Sequence, residues 1–323
     1  MAVPCTIIMA ATVLTALMPP IYCLEETREP SRDPRRHGEN METPRRDLPI
    51  VEETREPSRD PRRHGENMQT PRRDLPIVNS SSIRLSMVFN AVDDMYKGCD
   101  KKMKKKVEKK YFKKENEGKF EEAWKKAEKC SKKQKDREDK ALTKNHMRAI
   151  CAYTSGYKNN KNDKKLYDEF NEAVRTNRTI YDSSFKFHFL HYWLTTAIQI
   201  LNRNQKNQGC QTTYRKTNVA FTGKVNHIIR FGAFASSSKK KDLDDFGSKT
   251  CFKIKTCSGA YLKHYPTLEK DEEEVLIPPY ETFKITNIIE GRGKFPDLKD
   301  CEKVFVLKSA GDKSNLNCKL ASK

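Results

Sequence analysis

The chain has 323 residues, with 64 lysines and arginines against 44 aspartates and glutamates, which gives a formal net charge of +20 at pH 7. This length allows one large domain or two small ones with additional segments. One apolar run, from Ile7 to Met18, is shorter than the roughly 20 residues that span a bilayer, and no second run follows it, so the composition excludes a multi-span membrane protein.

Residues 1–23 contain no Lys, Arg, Asp or Glu, and Pro19-Pro20 interrupts the apolar run. This pattern is typical of a secretory signal peptide with cleavage near Cys23, with an uncleaved N-terminal anchor as the alternative. The C-terminal residues, Asn315 to Lys323, are polar and basic, unlike the tail of a lipid-anchor signal. We therefore expect a secreted, extracellular protein.

Residues 24–78 contain a tandem repeat of 27 residues, Glu25–Val51 and Glu52–Val78, in which only Glu42 and Gln69 differ. Each copy is rich in Pro, Arg and Glu and has few apolar residues to bury. The sequence predicts a disordered stalk that precedes a folded domain at 79–323.

Without Cys5 and Cys23 the chain keeps eight cysteines, an even number that favours four disulfides in an oxidising compartment. There is no CxxC pair and no Cys/His cluster, so no metal site is expected. The sequons at Asn79 and Asn177 are expected to be glycosylated.

The segment 101–141 is strongly basic, with 18 basic and 9 acidic side chains. Phe120, Ala123, Trp124 and Ala127 recur at helical spacing, which predicts a basic helix with one apolar stripe. The lysines then form either a solvated face or a binding surface for a polyanion such as a glycan, an acidic protein or nucleic acid. No zinc-finger or other nucleic-acid motif supports the last of these.

Helical patterns continue through Leu166 to Val174 and through Leu190 to Leu201. His188 and His191 have no carboxylate or cysteine nearby in the sequence and are interpreted as packing residues. After Gly209, apolar residues alternate with lysines around Phe252, Phe283 and Phe305, as in β-strands. Helices followed by strands predict an α+β fold in one domain, since neither half has a balanced core of its own.

Three features in the strand-rich half point to chemistry. Arg215 follows an apparent strand; the triplet Ser236-Ser237-Ser238 follows another, or caps a short helix; and Asp271-Glu272-Glu273-Glu274 runs into apolar residues. On an extended backbone, residues two apart point to one face, so Glu272 and Glu274 form a candidate pair. A slipped register would instead pair Asp271 with Glu273. Each feature alone is also compatible with a surface charge, a helix cap or an acidic loop.

In this order the features resemble the "R-S-ExE" pattern of the arginine-specific ecto-mono-ADP-ribosyltransferases of vertebrates. The resemblance extends over nearly the whole folded part. It includes Tyr96-Lys97-Gly98-Cys99, Phe170-Asn171-Glu172-Ala173-Val174-Arg175, Phe246-Gly247, Thr256-Cys257-Ser258-Gly259-Ala260, Glu274-Val275-Leu276-Ile277-Pro278-Pro279-Tyr280-Glu281 and Ser314-Asn315-Leu316-Asn317-Cys318.

The resemblance implies a toxin-like fold that cleaves NAD+ at the nicotinamide–ribose bond and transfers ADP-ribose to arginine side chains of proteins. Arg215 would grip the NAD+ pyrophosphate, Ser236 would order the acidic loop and the ribose, and Glu274 would stabilise the positive charge that develops on that sugar. Glu272 would orient the acceptor guanidinium and help to remove its proton. Tyr214 and Phe234 complete the expected NAD+-binding set.

Two disulfides recur in that family, and here they would be Cys99–Cys318 and Cys210–Cys257. The expectation for the remaining four cysteines is Cys130–Cys151 and Cys251–Cys301, although spacing alone does not determine their pairing.

The resemblance leaves two other functions open. One is an NAD glycohydrolase, in which water replaces arginine as the acceptor. The other is a secreted polyanion-binding protein that keeps the fold without turnover. A monomer is expected. Lys239-Lys240-Lys241 is unusual for the family, and could attract NAD+ phosphates or an acidic protein target, or compete with the acids of the site.

Overall fold

The computed structural model of the chain describes residues 82–205, 209–243, 246–267 and 272–321. The expected signal peptide, stalk and Asn79 sequon, and Asp271 of the acid run, lie outside these ranges. The helices are α1 (Asp100–Lys106), α2 (Phe112–Glu115), α3 (Gly118–Cys130), α4 (Lys144–Thr154), α5 (Leu166–Thr176) and α6 (His188–Asn204). A π-helical segment, Val107–Tyr111, joins α1 to α2, and short 3-10 turns lie at Arg137–Asp139 and Arg178–Ile180.

The strands follow the helices, apart from the short β1 (Ile83–Arg84), which pairs with β3 (Phe221–Thr222). The others are β2 (Gln211–Thr217), β4 (Ile228–Ile229), β5 (Ala235–Ser238), β6 (Thr250–Thr256), β7 (Ala260–Tyr261), β8 (Glu274–Ile277), β9 (Glu281–Glu290) and β10 (Lys303–Asp312). They form a sheet of order β4-β9-β10-β6-β2-β5-β8-β7. Within it β6 and β10 are parallel and the other pairs are antiparallel.

The basic segment 101–141 is not the single helix that its composition predicts. Asn116 and Glu117 leave the helical conformation, and Gly118 has a φ of +53°, so the chain turns between α2 and α3. Helix α3 then ends at Cys130, because the next ten residues contain no apolar side chain that could pack a further turn against the core. The predicted stripe itself is confirmed, since Phe120, Trp124 and their two alanines are buried.

The strand predictions are confirmed by burial. In β6, Phe252 and Ile254 are buried while Lys255 is exposed, and Phe283, Ile285, Phe305 and Leu307 are buried on the neighbouring strands. One core cluster joins the helices to Phe234, Ala260 and Leu276 of the strand-rich half. The α+β prediction is therefore confirmed, because the two halves share this core.

The eight described cysteines form the disulfides Cys99–Cys318, Cys130–Cys151, Cys210–Cys257 and Cys251–Cys301. These are the pairs that were expected. Cys210–Cys257 links the residue before β2 to the residue after β6. It therefore joins the start of β2 to the end of β6, which are neighbours in this antiparallel pair.

Both α6 histidines are buried, but His188 is more than a packing residue. Its Nδ1 lies 2.6 Å from Oε1 of Glu115, a carboxylate 73 residues away that the sequence does not connect with it. His191 lies 2.7 Å from the Tyr96 hydroxyl. The interpretation of His188 as a packing residue is therefore incomplete, because the fold and not the local sequence brings Glu115 to α6.

Candidate active site

Three adjacent strands of the sheet bring Arg215, Ser236 and Glu274 together, although 59 residues separate the first from the last. Nη1 of Arg215 on β2 donates a hydrogen bond to the Ser236 carbonyl at 2.5 Å. The Ser236 hydroxyl on β5 donates to Oε1 of Glu274 on β8 at 2.7 Å. Within the described part of the chain, Oε2 of Glu274 accepts no hydrogen bond. The cluster therefore contains a guanidinium, a hydroxyl and a carboxylate with free acceptor capacity.

The serine triplet belongs to a strand and does not cap a helix. Ser236 is paired with Leu276, so Ser236 and Glu274 are diagonal neighbours on one face of the sheet. The Ser237 hydroxyl donates to the Val275 carbonyl at 2.9 Å, and the Ser238 hydroxyl donates to the Glu272 carbonyl at 2.6 Å. All three hydroxyls thus bind the same acidic segment, and they fix its backbone as well as its carboxylate.

The approach to β5 depends on a glycine. Gly232 has a φ of +69°, and a Cβ atom at this position would lie 2.5 Å from Cγ1 of Val88. Another residue would be strained by this backbone conformation and would collide with Val88. Gly232 therefore sets the path of the chain into the serine strand.

The acid run is not extended over its whole length. Strand β8 begins at Glu274, and Glu273 has a φ of +42°, in the left-handed region. The argument from strand alternation therefore does not hold for Glu272. Glu272 still lies close enough to Glu274 to raise its pKa. The charge of Glu273 instead influences Lys239 and Tyr261, so the two neighbouring glutamates face different surroundings.

Burial dominates the electrostatics of the cluster. It raises the pKa of Glu274 to about 7; the Ser236 hydrogen bond and Arg215 act against this rise, whereas Glu272 adds to it. Burial also raises the pKa of Glu272 and lowers that of the Arg215 guanidinium. A carboxylate that titrates near neutral pH beside a partly desolvated guanidinium is an arrangement characteristic of active sites.

Four further side chains reach the cluster from the helices. Tyr153 on α4 and Tyr167 on α5 lie close enough to Arg215 and Glu274 for both charges to influence their pKa values. Asn171 donates to the Tyr153 hydroxyl at 3.0 Å and accepts from the Phe234 amide at 3.2 Å. Arg175 donates to the Phe231 carbonyl, and its pKa is lowered to about 10, mainly by burial and then by Arg215.

These residues carry a signal in the sequence that the prediction missed. Tyr167, Asn171 and Arg175 are spaced by four, so they form a polar stripe on α5 next to the apolar stripe of Leu166, Phe170 and Val174. A polar stripe of this kind is usually solvated, and only the packing of α5 against the sheet shows that this one faces the site.

The two aromatic members of the expected NAD+-binding set have different surroundings. Tyr214 points to the opposite face of the sheet from Arg215, where its hydroxyl lies 3.3 Å from Oδ2 of Asp297. The Phe234 ring is buried and stacks on Phe170 with centroids 5.4 Å apart. The structure therefore does not bring the Tyr214 ring to the cluster, and Phe234 borders it with its backbone.

Lys239 and Lys241, two of the three lysines after the serine strand, are held apart. The Lys239 ammonium lies 4.0 Å from the centre of the Tyr261 ring, and its pKa is lowered by burial. Lys241 lies 4.0 Å from Asp297, on the side of the sheet that carries Tyr214. Of these two, Lys239 therefore lies beside the acid run, where the charge of Glu273 acts on it.

One group of carboxylates in the described ranges has a geometry suited to a metal, namely Asp136, Glu138 and Asp139. The Lys263 ammonium donates to all three at 2.6–2.9 Å. These carboxylates raise the pKa of Lys263 despite the opposing effect of burial. The lysine thus occupies the centre of the group as its counter-ion.

No helix among the described residues is both long and apolar enough to cross a membrane. Comparison with known sequences identifies relatives. Residues 85–303 match the model of the family described as NAD:arginine ADP-ribosyltransferase. The human "Ecto-ADP-ribosyltransferase 4" is 35% identical over 241 residues, covering 71% of this chain and 70% of that protein. The chicken "Erythroblast NAD(P)(+)--arginine ADP-ribosyltransferase" is 31% identical, covering 72% of this chain and 75% of its own length.

Solved structures agree with these relatives. The crystal structure of the eukaryotic mono-ADP-ribosyltransferase ART2.2 superposes with a TM-score of 0.59 at 31% identity, covering 73% of this chain and 98% of that one. A mutant of ART2.2 in complex with NADH gives the same TM-score at 30% identity. The family-model match, over residues 85–303, includes the strands of the cluster. The chain therefore belongs to the NAD:arginine ADP-ribosyltransferase family.

Proposed function

We propose that the protein transfers ADP-ribose from NAD+ to arginine side chains of proteins and releases nicotinamide. The observation that carries this proposal is the hydrogen-bonded sequence Arg215–Ser236–Glu274 across three strands. It unites a phosphate-binding group with a carboxylate that keeps a free acceptor oxygen. The membership of the chain in the family supports the choice of NAD+ as substrate.

Arg215 and Arg175 suit the pyrophosphate. The Arg215 charge lowers the pKa of Arg175, and Arg215 has a planar fork of donors that matches two phosphate oxygens. Both side chains are held by backbone carbonyls, of Ser236 and Phe231 respectively. The two charges therefore need no large rearrangement to meet an anionic ligand.

Glu274 would act on the ribose. When the nicotinamide–ribose bond breaks, nicotinamide leaves with the electron pair and positive charge develops on the sugar. The Glu274 carboxylate can accept a hydrogen bond from a ribose hydroxyl and oppose that charge. Ser236 holds its other oxygen, which favours the ionised form that this role requires.

Glu272 would act on the acceptor. A guanidinium is protonated at neutral pH, so its nitrogen must lose a proton as the new bond to the ribose forms. Glu272 is partly buried and its pKa is raised by that burial, which improves it as a base. Ser238 fixes its backbone through the carbonyl. Glu272 is therefore the proposed proton acceptor, and Glu274 the proposed stabiliser of the sugar.

The experiment uses the secreted protein with labelled NAD+ and a simple guanidino acceptor. Glu274→Ala should reduce nicotinamide release and acceptor labelling together, by about a thousandfold, because the charge on the sugar loses its stabilisation. Glu272→Gln should abolish labelling while nicotinamide release persists.

Labelling that is unchanged in Glu274→Ala would contradict the proposed function. If Glu272→Gln reduced both activities in parallel, the separate roles of the two glutamates would be wrong. If the wild type released nicotinamide without labelling any guanidino acceptor, the alternative of an NAD glycohydrolase would be favoured. Glu273→Gln serves as the matched control, because Glu273 faces Lys239 and Tyr261.

We also propose an extracellular, monomeric and glycosylated protein. The four disulfides favour an oxidising compartment, and the relatives named ecto-enzymes agree with it. Asn177 of the second sequon lies at the C-terminal end of α5 and is half-buried. Deglycosylation of the purified protein, followed by mass measurement, tests the occupancy of that sequon.

A further inference from the structure

A row of lysines covers the exposed side of the segment that runs through α1, the π-helical segment and α2. Its exposed members, here called the lysine surface, are Lys101, Lys102, Lys105, Lys109, Lys110, Lys113 and Lys114. In the described part of the chain none of them forms an ion pair with a carboxylate. Their charges are therefore available to a partner.

Two of the three acidic residues of the same segment form hydrogen bonds with residues of α6. Glu115 is buried, with Oε1 on His188 and Oε2 accepting the Phe189 amide at 2.9 Å. Oδ1 of Asp100 accepts the Tyr192 hydroxyl at 2.7 Å. Glu108 is the remaining exposed acid between Lys101 and Lys114. Of these three acids only Glu115 is buried, but the seven exposed lysines outnumber Asp100 and Glu108, so the surface is strongly positive.

The lysine surface is long and narrow. From Lys101 to Lys114 a helical rise of about 1.5 Å per residue gives a length of roughly 20 Å. Lys101 and Lys105 lie one helical turn apart, and further lysines continue the row across the π-helical segment into α2. An extended chain with repeated negative charges fits this shape better than a small anion.

The side chains between the lysines indicate which class of polyanion fits this surface. Met103, Val107 and Tyr111 are buried, so the segment has no apolar face left to insert into a membrane. Phe112 packs its ring against Phe189, at a centroid distance of 4.6 Å, and the surface shows no exposed aromatic ring on which a nucleic-acid base could stack. Ammonium groups alone suffice for sulfate and carboxylate groups.

We propose that the lysine surface binds a sulfated extracellular polysaccharide. The strands β2, β5 and β8, which carry the catalytic cluster, contribute no residue to this surface. Binding there would concentrate the protein on a glycan matrix and leave the reaction chemistry unchanged. The proposal goes beyond the transfer reaction and does not depend on it.

The test measures binding of the full-length protein to immobilised heparin at physiological salt. Lys105→Gln, Lys109→Gln and Lys113→Gln are combined, since glutamine keeps the helix propensity while it removes three charges. The dissociation constant should rise about tenfold, and the salt concentration that elutes the protein should fall.

A matched control removes three charges elsewhere. Lys255, Lys284 and Lys308 are exposed and lie side by side on β6, β9 and β10. Their combined replacement by glutamine changes the net charge equally and should change the dissociation constant less than twofold. Circular dichroism and nicotinamide release should stay at the wild-type level in both variants.

Equal losses in the two triple variants would overturn the proposal, because binding would then follow net charge and not this surface. Tighter wild-type binding to single-stranded DNA or to phosphatidylserine vesicles than to heparin at the same salt would overturn it as well. Failure to release nicotinamide would contradict the proposed enzyme activity alone, and the heparin result would still decide the glycan proposal.

Discussion

Two glutamates begin consecutive strands and have opposite surroundings. Glu281 at the start of β9 is fully buried and accepts hydrogen bonds from the Thr256 and Ser309 hydroxyls and from the amides of Cys257 and Ser258. Glu274 at the start of β8 accepts one, from Ser236, among the described residues. Burial raises the pKa of both carboxyl groups.

The difference between them lies in the number of donors. A carboxylate with four donors has little capacity left for a substrate, and it holds the loop after β6 next to Cys257. For a carboxylate with one donor, that single hydrogen bond offsets only part of the desolvation cost. Its free oxygen remains available to a sugar hydroxyl. Two glutamates whose pKa values are both raised by burial are thus a structural brace and a candidate catalyst.

The largest expected effect is on stability. Glu281→Ala leaves two backbone amides and two hydroxyls without their acceptor, so the free energy of unfolding should fall by about 3–5 kcal/mol. Glu274→Ala loses one hydrogen bond and should cost about 1 kcal/mol. Urea denaturation with the disulfides intact, at pH 6, measures both. Equal losses would remove the distinction between brace and catalyst.

The comparison also predicts how the stability contribution of Glu274 changes with pH. Because the folded-state pKa of Glu274 is raised to about 7, its contribution to stability is present at acidic pH and is lost as the pH rises through 7. The stability difference between wild type and Glu274→Ala should therefore decrease between pH 5 and pH 8. A difference that grows over this interval would contradict the raised pKa.

The second effect concerns the one hydrogen bond that Glu274 has. Ser236→Ala removes the contact that lowers the Glu274 pKa. The acidic limb of the pH–rate profile for nicotinamide release should therefore move from about pH 7 to higher pH by ~1 unit. Kinetics of kcat/KM between pH 5 and 9 measure it. Ser236→Thr, which retains the hydroxyl, is the control, and an unshifted limb in Ser236→Ala would contradict the coupling.

The smallest effect has the opposite sign. Glu272 raises the Glu274 pKa, so Glu272→Gln should move the acid limb downward. The shift should be only a few tenths of a unit, roughly 0.3, because the Glu272 carboxylate is partly exposed and screened by solvent. Nicotinamide release without acceptor is the measurement, and an upward shift would show that the two carboxylates do not interact as described.

Much of the fold followed from local pattern. The spacing of Phe120, Trp124 and Ala127 marked a helix, and the alternation around Phe252 and Ile254 marked a strand, because both patterns report which face meets the core. The order of Arg215, the serine triplet and the acid run pointed to the family and hence to the candidate site. The even number of cysteines predicted four disulfides, because paired cysteines are typical of an oxidising compartment.

Other features were outside the reach of pattern. The left-handed backbone of Glu273 is a single-residue departure that residue type does not announce. The partner of His188 is Glu115, 73 residues away. The polar stripe of Tyr167, Asn171 and Arg175 resembles a solvated helix face until α5 is packed on the sheet. For His188 and for the polar stripe, the decisive contact is non-local.

Local periodicity and composition therefore sufficed to predict the α+β class and the excess of lysine in the early helices. The candidate catalytic residues followed from the resemblance to a known family. Which carboxylates keep free oxygens, which lysines remain without acidic partners and which helix face joins the strands of the site became clear only from the folded chain. These properties depend on the neighbours that folding brings from distant positions in the chain, and burial then sets the charge and hydrogen-bonding state of each group.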